Sequence, residues 1–168
     1  MRKKMSKQTS QLGANTAGGN SAYGREGHDF YPTPNEATLA LIKQYNHRLY
    51  NLNSICEPAC GSGVMADLLQ KELSPKNLLC FDIRETGYAK QSAIQDFTDK
   101  EFIFNTDAII TNPPFNLADQ FIQRSHDLNV PFYAFVLKAT YFHAKKRLPL
   151  FSSTHPTAVH PLLWRPLS

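Results

Sequence analysis

Apolar strand-like runs alternate with helical stretches along this 168-residue chain, which predicts an α/β domain: a mostly parallel sheet with helices on both faces. Two local features agree. The pair Gly61-Ser62-Gly63 places a glycine turn between a short strand and a helix, as at the first strand-to-helix turn of a doubly wound sheet. An acid, Asp82, closes the next apolar run about twenty residues later, where nucleoside-binding folds place a ribose-binding carboxylate.

A first helix is expected near residues 35–48 and a strand at 53–56, ending in Ile55-Cys56. Val64-Met65-Ala66-Asp67-Leu68-Leu69 then begins a helix over 63–71. Ala66 stands where a third glycine would complete Gly-x-Gly-x-x-Gly, a replacement that pattern tolerates. Leu78-Leu79-Cys80-Phe81 predicts a strand over 78–82, and Ala93-Ile94-Gln95 a short one at 93–95. The run Asp107 to Thr111 predicts a strand, followed by a helix over 116–127, a strand over 131–137, a helix over 143–151 and a last strand near 157–164. Ligands of such a sheet sit beyond the carboxyl ends of its strands, where the glycine turn, Asp82 and Asn112 all fall.

Asn112-Pro113-Pro114-Phe115 is the most chemically suggestive segment. The two prolines fix φ and keep the preceding residues out of the helical region, so the chain leaves its strand in a set, extended turn. The Asn112 side-chain carbonyl and the Pro113 main-chain carbonyl can accept both protons of an exocyclic amine, while Phe115 stacks on the attached ring. Such dipeptides also end ordinary strands. The arrangement nevertheless suits a nucleobase.

With these elements in place, the chain resembles the S-adenosylmethionine-dependent DNA adenine-N6 methyltransferases, especially those of phage and prophage. Three segments in the right order carry the resemblance: Phe30-Tyr31-Pro32-Thr33-Pro34, Glu57-Pro58-Ala59-Cys60-Gly61-Ser62-Gly63 and Asn112-Pro113-Pro114-Phe115. It covers roughly residues 28–165 and implies a Rossmann-like methyltransferase fold with S-adenosylmethionine as cofactor. By that resemblance, Thr33 helps hold the methionine end, Glu57, Gly61 and Gly63 line the middle, and Asp82 binds the ribose hydroxyls. Asp96 accepts from the adenine amine and Phe97 packs on the ring, although a loop acid beside a core aromatic reads equally simply. Asn112, Pro113 and Phe115 become the catalytic set, transferring a methyl group directly to the N6 amine of a flipped-out adenine in DNA.

Relatives of this type continue past a strand like Ala158–Trp164 into a further antiparallel strand and a loop with a second aromatic, whereas this sequence stops at Ser168. The expectation is a shortened prophage product, its sheet one strand short and its edge exposed. Three other readings stand beside DNA adenine. Glutamine-N5 methyltransferases of release factors share the Asn-Pro-Pro-aromatic motif, a shortened relic would bind cofactor or DNA without turnover, and cytosine N4 has the same hydrogen-bonding needs. The last group more often has Ser where Asn112 stands.

Composition fits a single soluble domain. Residues 1–28, with Arg2, Lys3, Lys4 and Lys7 ahead of a Gly/Asn/Ser-rich stretch, are expected to form a disordered polar tail before a domain over 29–168. No run approaches the 18 or so apolar residues of a membrane span and no signal peptide opens the chain, so a cytoplasmic location is expected. Cys56, Cys60 and Cys80 are odd in number and read as reduced core thiols, and the six histidines form no ligand cluster, so no metal is expected. The net charge of +4 is modest. A local basic group, Lys138 with Lys145, Lys146 and Arg147, follows the strand after the catalytic turn and is the candidate DNA contact.

Overall fold

A computed structural model describes residues 33–162. Among the described residues, five strands form one parallel sheet in the order β3-β2-β1-β4-β5. These are β1 (Ser54–Glu57), β2 (Asn77–Asp82), β3 (Ala93–Ile94), β4 (Ala108–Thr111) and β5 (Phe132–Phe135). The helices are α1 (Asn35–Gln44), α2 (Asn46–Leu49), α3 (Val64–Leu73), α4 (Ala118–Asp127) and α5 (Leu148–Ser153). Every strand pairing is parallel, as the alternation predicts. From β1 the chain builds outward through β2 and β3, then returns to lay β4 and β5 on the other side. The reversal lies between β1 and β4, and a crevice opens there at the carboxyl ends of the strands.

Side-chain alternation along the central strands explains the two layers. Ile55, Ala108 and Ile110 point to one face, where Ile42, Leu49, Met65, Leu69 and Leu73 cover them. Cys56 and Ile109 point to the other, into Phe81, Phe97, Phe121 and Val130. Helices α1 to α3 therefore supply one layer and α4 the other. At the amino ends of β1 and β4, the Asp107 carboxylate accepts the Asn53 and Ser54 amides at 2.7 and 2.9 Å. Those amides, Ser54 first, hold its carboxyl below the usual aspartate range.

Three sequence expectations are corrected at the margins. Helix 35–48 breaks at Tyr45, whose φ of −118° separates α1 from α2. Helix 143–151 is instead two 3-10 turns, Ala139–His143 and Lys145–Arg147, followed by α5. Pro149 explains this: within a longer helix it would remove a hydrogen bond and clash with the preceding turn, whereas in the first turn of α5 it costs little. The strand expected at 157–164 is not formed over 157–162, and residues 163–164 lie outside the described residues. Pro161 denies that segment a ladder donor. It is held instead by His160, whose ring meets Tyr45 through a 2.8 Å hydrogen bond. The polar tail and Phe30-Tyr31-Pro32 also lie outside the described residues.

Gly63 is required by its neighbour. It caps α3 at φ +80°, and a Cβ there would overlap the Tyr88 ring. Gly63→Ala is expected to cost about 1–3 kcal/mol in urea unfolding, through overpacking and left-handed backbone strain. Adding Tyr88→Ala should relieve the overlap, so the double variant loses less than the sum of the two single changes. Strict additivity would contradict this account of the contact.

Candidate functional site

One cleft at the switch point gathers most of the residues singled out from sequence. Its walls include Thr33, Glu57, Asp82, Asp96, Phe97 and Asn112, together with Pro114 of the same turn. These seven come from five separate stretches of sequence. The parallel sheet brings them together because the chain leaves β1, β2, β3 and β4 at the same end.

The two glycines of the turn shape the cleft without lining it. Pro58, Ala59, Cys60 and Ser62 contribute walls, whereas Gly61 and Gly63 do not. Gly61 adopts φ +49°, which turns its amide toward Asp82 Oδ2 at 3.1 Å. The other oxygen, Oδ1, accepts the Arg84 amide at 3.1 Å and lies 3.6 Å from the Arg84 guanidinium. Asp82 thus ties the glycine turn to the end of β2 while presenting its carboxylate to the cleft. A carboxylate has about four lone-pair sites, so two such bonds leave room for ligand hydroxyls.

Glu57, at the end of β1, is only 3% exposed, and its Oε2 has no hydrogen-bond partner among the described residues. Burial pushes its carboxyl well above the usual range, the Ala66 amide opposes the shift, and the charges of Asp82 and Asp67 add to it. A buried polar atom without a partner is costly. On a cleft wall it marks a place where a donor or cation belongs.

Asp96 accepts the amide and hydroxyl of Thr98 at 2.8 and 2.7 Å, which fixes its side chain at the rim. Phe97, 2% exposed, belongs to the core as well as the cleft, packed against Phe121 with centroids 4.9 Å apart. Ile83 and Arg84 were not anticipated from sequence. Ile83 lines the cleft directly after Asp82 and stays 50% exposed, an apolar side chain left open on the cleft wall. Its signal was available: an apolar residue just past the acid that ends a strand.

The turn Asn112-Pro113-Pro114-Phe115 follows β4 directly. Pro113 is fully buried, and the Pro114 carbonyl accepts the Leu117 amide at 2.9 Å, starting the turn that leads into α4. Asn112 is half-buried on the cleft wall, whereas Pro113 and Phe115 are not among the lining residues. Phe115 lies beneath Lys138, whose Nζ is 3.9 Å from the ring centroid.

The basic group divides. Lys138, Lys145 and Lys146 are exposed. Arg147 is committed: its Nε donates to Asp119 at 2.8 Å, one NH2 group donates to the Tyr141 carbonyl at 2.7 Å, and the guanidinium lies 3.9 Å from the Tyr141 ring. Arg147 pins the basic loop to α4. Cys56, Cys60 and Cys80 are buried free thiols, and burial pushes Cys60 and Cys80 up to about 12. Among the described residues no helix is long and apolar enough to cross a membrane.

No protein family and no curated protein matches the chain by comparison. The structure is similar to that of a Pyrococcus horikoshii protein proposed to be an RNA methyltransferase, with TM-score 0.58 and 20% identity over 74% of this chain and 70% of that one. Weaker likenesses extend to TrmN from Thermus thermophilus, with TM-score 0.49 and 19% identity over 73% of this chain and 41% of that one. Another is the plantazolicin methyltransferase BpumL in complex with a triazolic desmethylPZN analog and SAH, with TM-score 0.43 and 15% identity over 70% of this chain and 55% of that one. The order of the parallel strands and the first likeness together establish a Rossmann-like methyltransferase fold.

Proposed function

We propose that this chain is an S-adenosylmethionine-dependent methyltransferase acting on the exocyclic N6 amine of adenine in DNA. The observation that carries the reading is the meeting of Asn112 and Pro114 with Glu57, Asp82 and Asp96 in one cleft. The donor set suits the cofactor. Glu57 Oε2, buried without a partner among the described residues, would face the cationic methionine portion with Thr33 nearby. Asp82 would take the ribose hydroxyls, and Asp96 the purine amine, with Ile83 and Phe97 as apolar walls.

When bound, S-adenosylmethionine supplies a methyl group on a positively charged sulfur. The protein's own part is to place the acceptor. Asn112 and the Pro113 carbonyl would accept from the amine, aim its lone pair and offset the positive charge that grows on nitrogen. Phe115 would stack on the base, contributing about 1–3 kcal/mol against the few kcal/mol that flipping costs. Lys138, Lys145 and Lys146 would meet the DNA phosphates, and Arg147 would hold their loop in place.

Glu57 supplies a prediction with opposite signs for stability and binding. Its carboxyl is raised in the folded protein, so the folded state holds a proton that the unfolded chain gives up. Stability is then full below the ordinary carboxylate range and is lost as pH rises through that range toward the raised folded value. Glu57→Gln should therefore melt higher than the parent at neutral pH and bind S-adenosylmethionine more weakly. The parent's affinity should rise with pH, because an ionised Glu57 favours a cation. A variant that binds as tightly as the parent removes Glu57 from the cofactor site.

The reading as a whole is tested by methyl incorporation from labelled cofactor into unmethylated DNA, with RNA and a release factor in parallel. Label in adenine N6 of DNA is the expected result. Label in release-factor glutamine, in RNA alone or in cytosine would reassign the substrate. Cofactor binding with no transfer to any of them would point to a binding protein without turnover.

A further inference from the structure

Lys138 and Phe115 follow different strands but meet over the same carboxyl edge of the sheet. Thr111 and Phe135 are paired in the β4–β5 ladder, so Phe115 lies four residues past one partner and Lys138 three past the other. The ammonium sits 3.9 Å from the ring centroid, well inside the range of a cation–π contact. An aromatic ring stacked on Phe115 would lie at nearly the same distance, so the ammonium and a base cannot share that face. The lysine is exposed, and its long stem can swing aside without moving the backbone.

We propose that Lys138 is a placeholder for the target base, covering the Phe115 ring until a nucleobase displaces it and then pairing with a phosphate beside the flipped nucleotide. The proposal rests on the reading of Asn112-Pro113-Pro114-Phe115 as a nucleobase site and adds a second state for one side chain. Lys138 is thus a positioning and specificity residue. It opposes a bare base, which brings no phosphate to compensate the displaced ammonium, and favours a base attached to a nucleic-acid backbone.

The test uses two probes on the full chain saturated with S-adenosylhomocysteine: free deoxyadenosine, followed by ligand-observed magnetic resonance, and a fluorescent adenine-containing single strand titrated across salt. Lys138→Met, which keeps the stem, is expected to bind deoxyadenosine about two- to fivefold tighter, the inverse of an exposed cation–π contact. It should bind the strand more weakly, with a salt slope shallower by about 0.7 for the one lost phosphate contact. Lys138→Arg should keep the parent slope. Unchanged or weaker deoxyadenosine binding by Lys138→Met, or an unchanged slope, overturns the placeholder role. Phe115→Ala separates this from failure of the site itself: if it binds deoxyadenosine as the parent does, or if the parent binds neither probe, the nucleobase reading falls and the proposal falls with it.

Discussion

Asn112→Ala is expected to transfer methyl groups about 10²–10³ more slowly than the parent, the usual cost of deleting one preorganised transition-state hydrogen-bonding group. Its affinity for S-adenosylmethionine should stay near the parent's, because the lost carbonyl is the one proposed to meet the acceptor amine. Single-turnover methylation of an adenine-containing duplex measures the first quantity and calorimetry the second. Phe115→Ala makes a useful companion. It leaves the Asn112 acceptor in place and removes only the stacking surface, so added substrate should restore part of its rate. If Asn112→Ala methylates as fast as the parent, the turn is a structural strand ending and the chemistry lies elsewhere.

Asp82→Ala should lower cofactor affinity by about 1.5–3 kcal/mol, roughly tenfold to more than a hundredfold, as expected for hydrogen bonds to a charged acceptor. The same carboxylate also holds the amides of Gly61 and Arg84. The variant should therefore lose stability as well, since two amides lose their acceptor. Asp82→Asn helps to separate the two effects: it keeps the side chain's size and one oxygen acceptor but loses the charge. A folded Asp82→Ala variant with parental affinity would remove the ribose assignment and weaken the whole cofactor reading.

Much of this architecture was legible because local chemistry and global topology agree. Gly61 and Gly63 adopt positive φ at the turn where the sequence places them. Asp82 ends β2, and the two prolines after Asn112 end β4 at the crevice. The margins were less legible because competing local signals decide them. Pro149 reads as part of an apolar helical stretch until its position in the first turn of α5 is known. The segment after Pro156 has strand-like side chains, but Pro161 withdraws a ladder donor and leaves its fate to packing against Tyr45.

Contacts between distant residues were the least visible. Tyr88 explains Gly63 across 25 positions, Arg147 finds Asp119 across 28, and Lys138 finds Phe115 across 23. In each case the residue was noticed and the pairing was not. A glycine serving a tyrosine looks the same in sequence as one serving a ligand. Likewise, a basic cluster does not reveal that Arg147 is already engaged with an acid while Lys138 covers an aromatic ring.

The most direct measurement of the central claim is a crystal structure of the full chain with S-adenosylhomocysteine. The expected complex has the ribose hydroxyls at Asp82, the purine between Ile83 and Phe97 with its amine at Asp96, and the amino-acid end beside Glu57 and Thr33. It also leaves the Asn112 side open for an acceptor. A ligand bound away from this cleft, or in it with the ribose away from Asp82, would contradict the account.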